Sequence, residues 1–338
     1  MIDQIKEFIQ NFAKTYADER TNVFKIEIES HQQGLVALGG RVLDNNQLEL
    51  LSGRLNSQFG GLQVDAQGVN ILRKPGNPVM AVGTNLTSLH TSTSFISEMS
   101  SQLVFGERVE ILEEQGNWVF TRQMDGYLGW TYKPYLSANL PAQANHIVLA
   151  PSVELLAEPM NGAAVLTRIF CGTQVELLST QGGWAQIQAH KVGWIKQKDL
   201  RALSEFPGTY AARRNMIKRD TQRMIGVPYL WGGSAGNGID CSGFARLAHR
   251  WIGIEIPRDA DMQSAQCQRV EAPYRAGDLF FFGEGEGKRR ITHVGICMGG
   301  WKVLHSSRSR NGVYLDDLQE KEFLRNIFVH GGSFLPGR

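Results

Sequence analysis

The residue most able to do chemistry in this chain is a cysteine. Cys241 follows Asp240 at the end of a glycine-rich run, Gly232-Gly233-Ser234-Ala235-Gly236-Asn237-Gly238. From Cys241 onward, Phe244, Leu247, Ala248 and Trp251 recur at helical spacing, which predicts an amphipathic helix with Asp240 as its N-cap. A thiol in a first helical turn lies near free N–H groups at the positive end of the helix dipole, and both favour the thiolate. A nucleophile also needs a base, and the base needs a group to orient it. Ile291–Cys297 and Trp301–Ser307 read as strands turning near Gly299-Gly300, each with one histidine among β-formers. Antiparallel pairing would set His293 beside His305, the first as base and the second fixing its tautomer. Singly, such a cysteine is more often a small buried apolar residue, and such a histidine an ordinary core or surface residue. It is their conjunction that points to nucleophilic catalysis.

The surrounding blocks strengthen it. Pro228-Tyr229-Leu230-Trp231-Gly232-Gly233, Asp240-Cys241-Ser242-Gly243-Phe244, Ile256-Pro257-Arg258-Asp259, Ala276-Gly277-Asp278-Leu279-Phe280-Phe281, His293-Val294-Gly295-Ile296 and His305 follow one another across roughly residues 208–330. In order and spacing they resemble the NlpC/P60 cysteine peptidases. The resemblance implies a papain-like α+β catalytic domain that cleaves peptidoglycan stem peptides, usually between γ-D-glutamate and a diamino acid. It implies Cys241, His293 and His305 as the catalytic residues. The Tyr229 hydroxyl would steady the oxyanion together with the Cys241 backbone N–H, and Trp231, Asp240, Ser242, Arg258 and Asp259 would line the substrate site. Where the family often reads Arg-Asp-Ser, this chain has Arg258-Asp259-Ala260, so one hydroxyl contact to substrate is missing or replaced.

The elements that must position these residues begin far upstream. Ile2, Ile5, Phe8, Ile9, Phe12 and Tyr16 mark one face of a helix. Val23–Glu29 alternates as a half-buried strand, Gly34–Val42 follows as its partner, Asn45–Phe59 as a helix with Leu48, Leu51 and Leu55 inward, and Val64–Leu72 as a further strand. This small α/β unit, residues 1–75, resembles the BON-type domain and reads as a structural appendage. Arg73–Pro78 has the Pro/Gly/Asn content of a linker. An internal repeat follows. Gly106–Trp118 aligns with Gly172–Trp184, 66 residues on, and each copy runs to a Gly-Trp pair, at Gly129-Trp130 and Gly193-Trp194. Short strands with frequent turns predict two small barrels, over 80–140 and 141–203, ahead of a catalytic domain at 208–338. The repeated pattern resembles bacterial SH3-like domains.

The whole arrangement is similar to the γ-D-glutamyl-L-diamino acid endopeptidases of this family. In them the first SH3-like domain walls off one end of the cleft, and an acid and a tyrosine from it join the Asp beside the nucleophile around the free amine of L-alanine. Carried onto this chain, the resemblance makes Tyr127 the tyrosine and Glu98 the acid, with Asp240 as their partner. A buried ammonium needs such carboxylates to offset its lost hydration, and the pocket would reject peptides whose alanine nitrogen is still acylated. Murein peptides with a free L-Ala amine are the expected substrate, as in peptidoglycan recycling. Hydrolysis of intact wall, and an acyltransferase or silent wall-binding module on the same scaffold, are the alternatives.

Composition narrows the rest. The 338 residues carry a net charge of +2 and 42% hydrophobic content, enough for several ordinary cores and no case for nucleic acid. No run approaches the length of a membrane-spanning helix. The N-terminus, with acids early and no long apolar core, does not read as a secretory signal, so a cytoplasmic location is expected. Cys171, Cys241, Cys267 and Cys297 show neither disulfide density nor zinc-ligand spacing, so no metal and no cofactor are expected. Gly283–Arg290 lacks Walker spacing and reads as a solvated hairpin loop.

Overall fold

The computed structural model describes residues 1–32, 34–139, 143–285 and 290–335. The tip of the expected Gly283–Arg290 loop, 286–289, lies outside them. The chain divides into two compact units, 1–80 with 108–133, and 81–107 with 134–338. The first repeat copy is therefore shared between them.

In the first unit, α1 (Ile2–Ala13) and α2 (Asn45–Gln58) cover a three-stranded sheet of β1 (Phe24–Gln32), β2 (Leu35–Asp44) and β3 (Gln63–Arg73). β1 and β2 are antiparallel, while β2 and β3 run parallel around α2. The helix faces legible in the sequence make the core: Ile5, Ile9 and Phe12 meet Leu48, Leu51 and Leu55 over Val36, Leu38 and Val42. Ile2, at the start of α1, remains exposed. The Asp44 side chain caps α2, accepting from the Gln47 amide.

The same unit contains the meander β7 (Arg108–Gln115), β8 (Trp118–Gln123) and β9 (Leu128–Tyr132). Val23, Leu43 and Leu72 pack with Phe120 and Leu128, and two ion pairs, Arg41–Glu113 at 2.9 Å and Arg73–Glu110 at 3.0 Å, flank the contact. The expected linker at Arg73–Pro78 is a pinned turn. The Asn77 side-chain amide donates to the carbonyls of both Leu72 and Ile111, each at 2.9 Å. Its turn-forming composition was real, but the asparagine spends its donors on holding two strands together.

The second unit holds the rest of the first copy: the hairpin of β5 (Leu86–His90) and β6 (Met99–Val104), and the end of β4 (Val79–Val82) paired with β10 (Leu136–Ser137). The second copy forms a complete seven-stranded sheet. Its strands are β11 (His146–Val148), β12 (Ser152–Leu156), β13 (Val165–Phe170), β14 (Gln174–Gln181), β15 (Trp184–Gln188), β16 (Val192–Lys196) and β17 (Leu200–Ala202), in the order β13-β12-β16-β15-β14-β11-β17. Val148, Leu155, Ile169, Val175, Ile187 and Ile195 fill it.

The C-terminal part begins with α3 (Tyr210–Asp220) and the short ladder of β18 (Ser234–Ala235) with β19 (Gly238–Ile239). Then come α4 (Cys241–Arg250), α5 (Ala260–Gln266), β20 (Gln268–Val270), β21 (Leu279–Glu284), β22 (Arg290–Gly299), β23 (Lys302–Ser307), β24 (Gly312–Asp317), α6 (Glu322–Ile327) and β25 (Phe328–Ser333). The six strands form one antiparallel sheet, β20-β25-β21-β22-β23-β24. α4 is buried along nearly its whole length: Phe244, Leu247, Ala248 and Trp251 pack with Val294, Ile296 and Leu304 from the sheet. Each large apolar side chain so buried stabilises the fold by about 2 kcal/mol, so the helix that carries Cys241 is fixed rigidly.

Candidate active site

Cys241 opens α4, and the Asp240 Oδ1 accepts from the Gly243 amide at 2.6 Å, the N-cap that the sequence predicts. The loop before it is held from several directions. Gly232 N–H donates to Asp240 Oδ2 at 3.0 Å, and the Asp240 amide donates to Gly233 O at 3.1 Å. From the sheet, the Ser306 hydroxyl donates to Ile239 O at 2.6 Å. Gly232 has φ +73°, and a Cβ there would collide with the Met99 carbonyl on β6, so both conformation and space call for glycine.

Arg258 ties this loop to the rest of the second unit. It is 1% exposed and its Nη2 donates to Asp240 Oδ2 at 2.6 Å. Its Nη1 donates to Asp240 Oδ1 at 3.1 Å and to the Ser242 hydroxyl at 3.0 Å, and its Nε donates to the Ser101 hydroxyl of β6 at 3.0 Å. The Ser242 hydroxyl also donates to Asp240 Oδ1 at 3.2 Å. Every acceptor face of the Asp240 carboxylate is thus in use, and its charge is balanced by a guanidinium. A substrate amine would have to share it. Asp259 stands 3.8 Å from Arg258 Nη1, just ahead of the buried Ala260 that begins α5.

The two histidines do share one face of neighbouring strands. β22 pairs antiparallel with β23 through Ile296–Leu304 and Cys297–Val303. This register sets His293 diagonally from His305, and His293 Nε2 lies 2.7 Å from His305 Nδ1. Gly295 lies between them; a Cβ there would press on Val303 and come within 2.9 Å of His305 Cβ. Behind His305 is a residue that the motifs do not reveal. His305 Nε2 lies 3.0 Å from Asp316 Oδ2 on β24, and Asp316 Oδ1 accepts from Arg310 Nη1 at 2.7 Å. No family block covers Asp316, and the adjacent Asp317 makes the pair look like ordinary surface acids. The one available signal was its place two residues beyond the partner of His305, Tyr314, in an antiparallel hairpin.

Electrostatics modifies the expectation of a free thiolate. Burial, and next the Asp240 charge, push the Cys241 thiol up to about 12, although the Val294 and Ser242 amides and Arg258 pull it down. Burial, reinforced by His305, pushes His293 down to about 3. Desolvation acts against either charge alone, whereas a thiolate facing an imidazolium is mutually compensated. A lone thiolate at Cys241 is therefore disfavoured unless a neighbouring base takes its proton. Asp316 is held below the usual carboxylate range, chiefly by its hydrogen bond to His305. Tyr229 is half-buried; burial, then the Cys241 and Asp240 charges, hold its phenol well above its normal range. It stays protonated and able to donate.

At the edge of the nucleophile loop, Trp231 is 56% exposed and its indole Nε1 donates to Glu98 Oε1 at 2.8 Å. Glu98 precedes β6, and its carbonyl accepts from the Thr91 amide at 3.0 Å, closing the β5–β6 loop. Gln102 Oε1, also on β6, accepts from the Ser234 amide at 3.1 Å. The structure thus brings Glu98, Trp231, Arg258, Asp240 and Ser242 to one side of the nucleophile loop. Tyr127 belongs to the first unit, buried in the β8–β9 turn with its amide donating to Asp125 Oδ1 at 3.0 Å. Among the described residues no cluster of His, Cys, Asp and Glu could hold a metal ion, and no helix is long and apolar enough to cross a membrane.

Three segments of the chain match known families. Residues 226–331 match the NlpC/P60 family, 89–131 the bacterial dipeptidyl-peptidase Sh3 domain and 151–201 the bacterial SH3 domain. A γ-D-glutamyl-L-lysine dipeptidyl-peptidase of Bacillus subtilis (strain 168) is 32% identical over 239 residues, 68% of this chain and 79% of that protein. A protein of the same name from Bacillus cereus (strain ATCC 10987) is 27% identical over 259 residues, 71% of this chain and 76% of the other. A crystal structure of an NlpC/P60 family protein from Bacillus cereus ATCC 10987 superimposes with a TM-score of 0.65 at 20% identity, covering 76% of this chain and all of that one. At that identity the likeness speaks for the fold.

Proposed function

This chain belongs to the NlpC/P60 family of cysteine peptidases, and we propose that it hydrolyses the γ-D-glutamyl–diamino acid bond of murein stem peptides whose L-alanine amine is free. The names of its relatives, γ-D-glutamyl-L-lysine dipeptidyl-peptidases, support this choice of bond. The observation that carries the free-amine reading is the attachment of Glu98, from the β5–β6 loop, to Trp231 beside the nucleophile. An exposed carboxylate at that edge provides a counter-charge for an ammonium.

In this scheme the Cys241 thiol passes its proton to His293 as sulfur attacks the γ-glutamyl carbonyl. The Cys241 backbone N–H and the Tyr229 hydroxyl donate to the oxyanion. His293 then protonates the leaving amine of the diamino acid, and a water, deprotonated by the same imidazole, clears the thioester. The products are L-Ala-γ-D-Glu and the diamino acid or its peptide.

The test compares L-Ala-γ-D-Glu-L-Lys and its diaminopimelate counterpart with the same peptides N-acetylated, by mass spectrometry. Cleavage of the free-amine peptides alone is expected. Equal cleavage of the acetylated forms would move the enzyme to intact wall, and no cleavage of any would overturn the assignment.

A further inference from the structure

The hydrogen-bond chain behind the nucleophile has a direction, and one of its ends fixes it. An ionised carboxylate only accepts, so His305 Nε2, 3.0 Å from Asp316 Oδ2, must carry a hydrogen. While His305 is the neutral imidazole, with one N–H, its Nδ1 is bare and accepts from His293 Nε2–H across 2.7 Å. His293 Nδ1 is then the bare nitrogen and, with Nε2 engaged by His305, the one left to take a proton from a thiol. The other oxygen of Asp316 is itself held by Arg310 Nη1 at 2.7 Å. Arg310 is set in place by the 308–311 turn, where its amide donates to Ser307 Oγ at 3.3 Å, and by Tyr314, over whose ring its guanidinium stands at 4.1 Å.

We propose that Asp316, oriented by Arg310, is a positioning residue that sets the tautomer of the catalytic base through His305. The inference rests on the reading of His293 as base and does not depend on which peptide is cleaved. Asp316 touches neither substrate nor thiol; it acts by dictating where two protons sit.

The arrangement separates this role from a merely structural one. In Asp316→Asn the shape is kept, but Arg310 still demands an acceptor. The amide therefore turns its oxygen to Arg310 and its NH2 to His305 Nε2. His305 must then accept there, carry its hydrogen on Nδ1 and donate to His293 Nε2. The hydrogen of His293 moves to Nδ1, the nitrogen left to take the thiol proton, and the base is blocked. Freed of Arg310, the amide can rotate and restore the productive tautomer.

Asp316→Asn is expected to lower kcat about 10³-fold or more with KM and unfolding midpoint little changed, as wrong-tautomer variants of hydrolase triads do. Arg310→Met alone should cost less than about tenfold, and the double variant should recover at least about tenfold over Asp316→Asn, a sign reversal between coupled residues. A loss that Arg310→Met deepens, or an Asp316→Asn enzyme within about threefold of the parent, overturns the proposal. Side-chain 15N spectra of the His293 ring in Cys241→Ala need neither substrate nor a stable Asp316 variant. Hydrogen on Nε2 is required in that background, and hydrogen on Nδ1 would overturn the proposal. If the peptide test fails while this assignment holds, the substrate reading is wrong and the relay stands.

Discussion

Arg258 and Asp240 form a buried ion pair at 2.6 Å, and the guanidinium reaches past it to Ser101 on β6 and Ser242 on α4. One side chain thus joins the nucleophile loop, the nucleophile helix and a strand of the first SH3-like copy. Removing one partner of such a pair leaves a buried charge uncompensated, which costs about 3–5 kcal/mol. Arg258→Met should therefore lower the unfolding midpoint sharply and inactivate the enzyme. Asp240→Asn, which keeps a capping side chain, should soften the loss when combined with it. Denaturant unfolding of the four proteins of this cycle measures the coupling; additive losses would mean the pair is not the anchor.

The thiol offers a second test. With His293 present, the proton of Cys241 has somewhere to go. In His293→Ala the thiol is a lone buried group pushed up to about 12, and at pH 7 only about one in 10⁵ would be thiolate. Iodoacetamide labelling of Cys241, followed by peptide mapping, should fall steeply in the variant and recover only in strong alkali. Labelling that is unaffected at pH 7 would show that the helix start alone activates the sulfur.

How much of this could be read from the sequence depends on the range of each interaction. The Asp240 cap, the apolar face of α4 and the two histidine strands are local patterns, and the structure contains all of them. The repeat of Gly-x-Trp and Gly-Trp likewise led to two SH3-type copies. Asp316 was hidden because its role depends on register. A slip of one residue between β23 and β24 would have faced Asp317 to His305 instead. The packing of Val23, Leu43 and Leu72 against Phe120 and Leu128 was equally invisible, since nothing in either segment announces the other. The expected thiolate missed the structure for a different reason. Dipole and cap are visible in sequence, whereas burial, which outweighs them, is a property of the finished fold.

Acid should destabilise the protein through His249. It is fully buried on α4; its Nδ1 donates to Ala245 O at 2.8 Å, and among the described residues no hydrogen-bond partner reaches its Nε2. Burial pushes it from 6.5 down to about 4. Between those values the unfolded chain takes up a proton that the folded one refuses. The stabilisation is complete above about pH 6.5 and is lost as pH falls toward 4, by up to about 3 kcal/mol. His249→Gln should reduce the slope of this part of the stability curve, measured as midpoint against pH, while His293, pushed from 6.5 down to about 3, still contributes a loss over the same range and on to lower pH. A parent and variant with parallel acid limbs would exclude His249 as the cause.

Glu98 bears on specificity. Its carboxylate accepts from the Trp231 indole at 2.8 Å, a bond that the carbonyl oxygen of glutamine can replace. Glu98→Gln therefore removes charge while keeping the contact and the closed β5–β6 loop. If this carboxylate receives the L-alanine ammonium, the variant should raise KM for the free-amine peptide by about tenfold, the scale of one charge-assisted hydrogen bond, and leave kcat within about threefold. The acetylated peptide, which carries no ammonium, should be processed no worse than by the parent. Steady-state kinetics on the two peptides separates charge recognition from simple bracing of Trp231. A variant that loses kcat on both substrates equally would assign Glu98 to the bracing of the nucleophile loop instead.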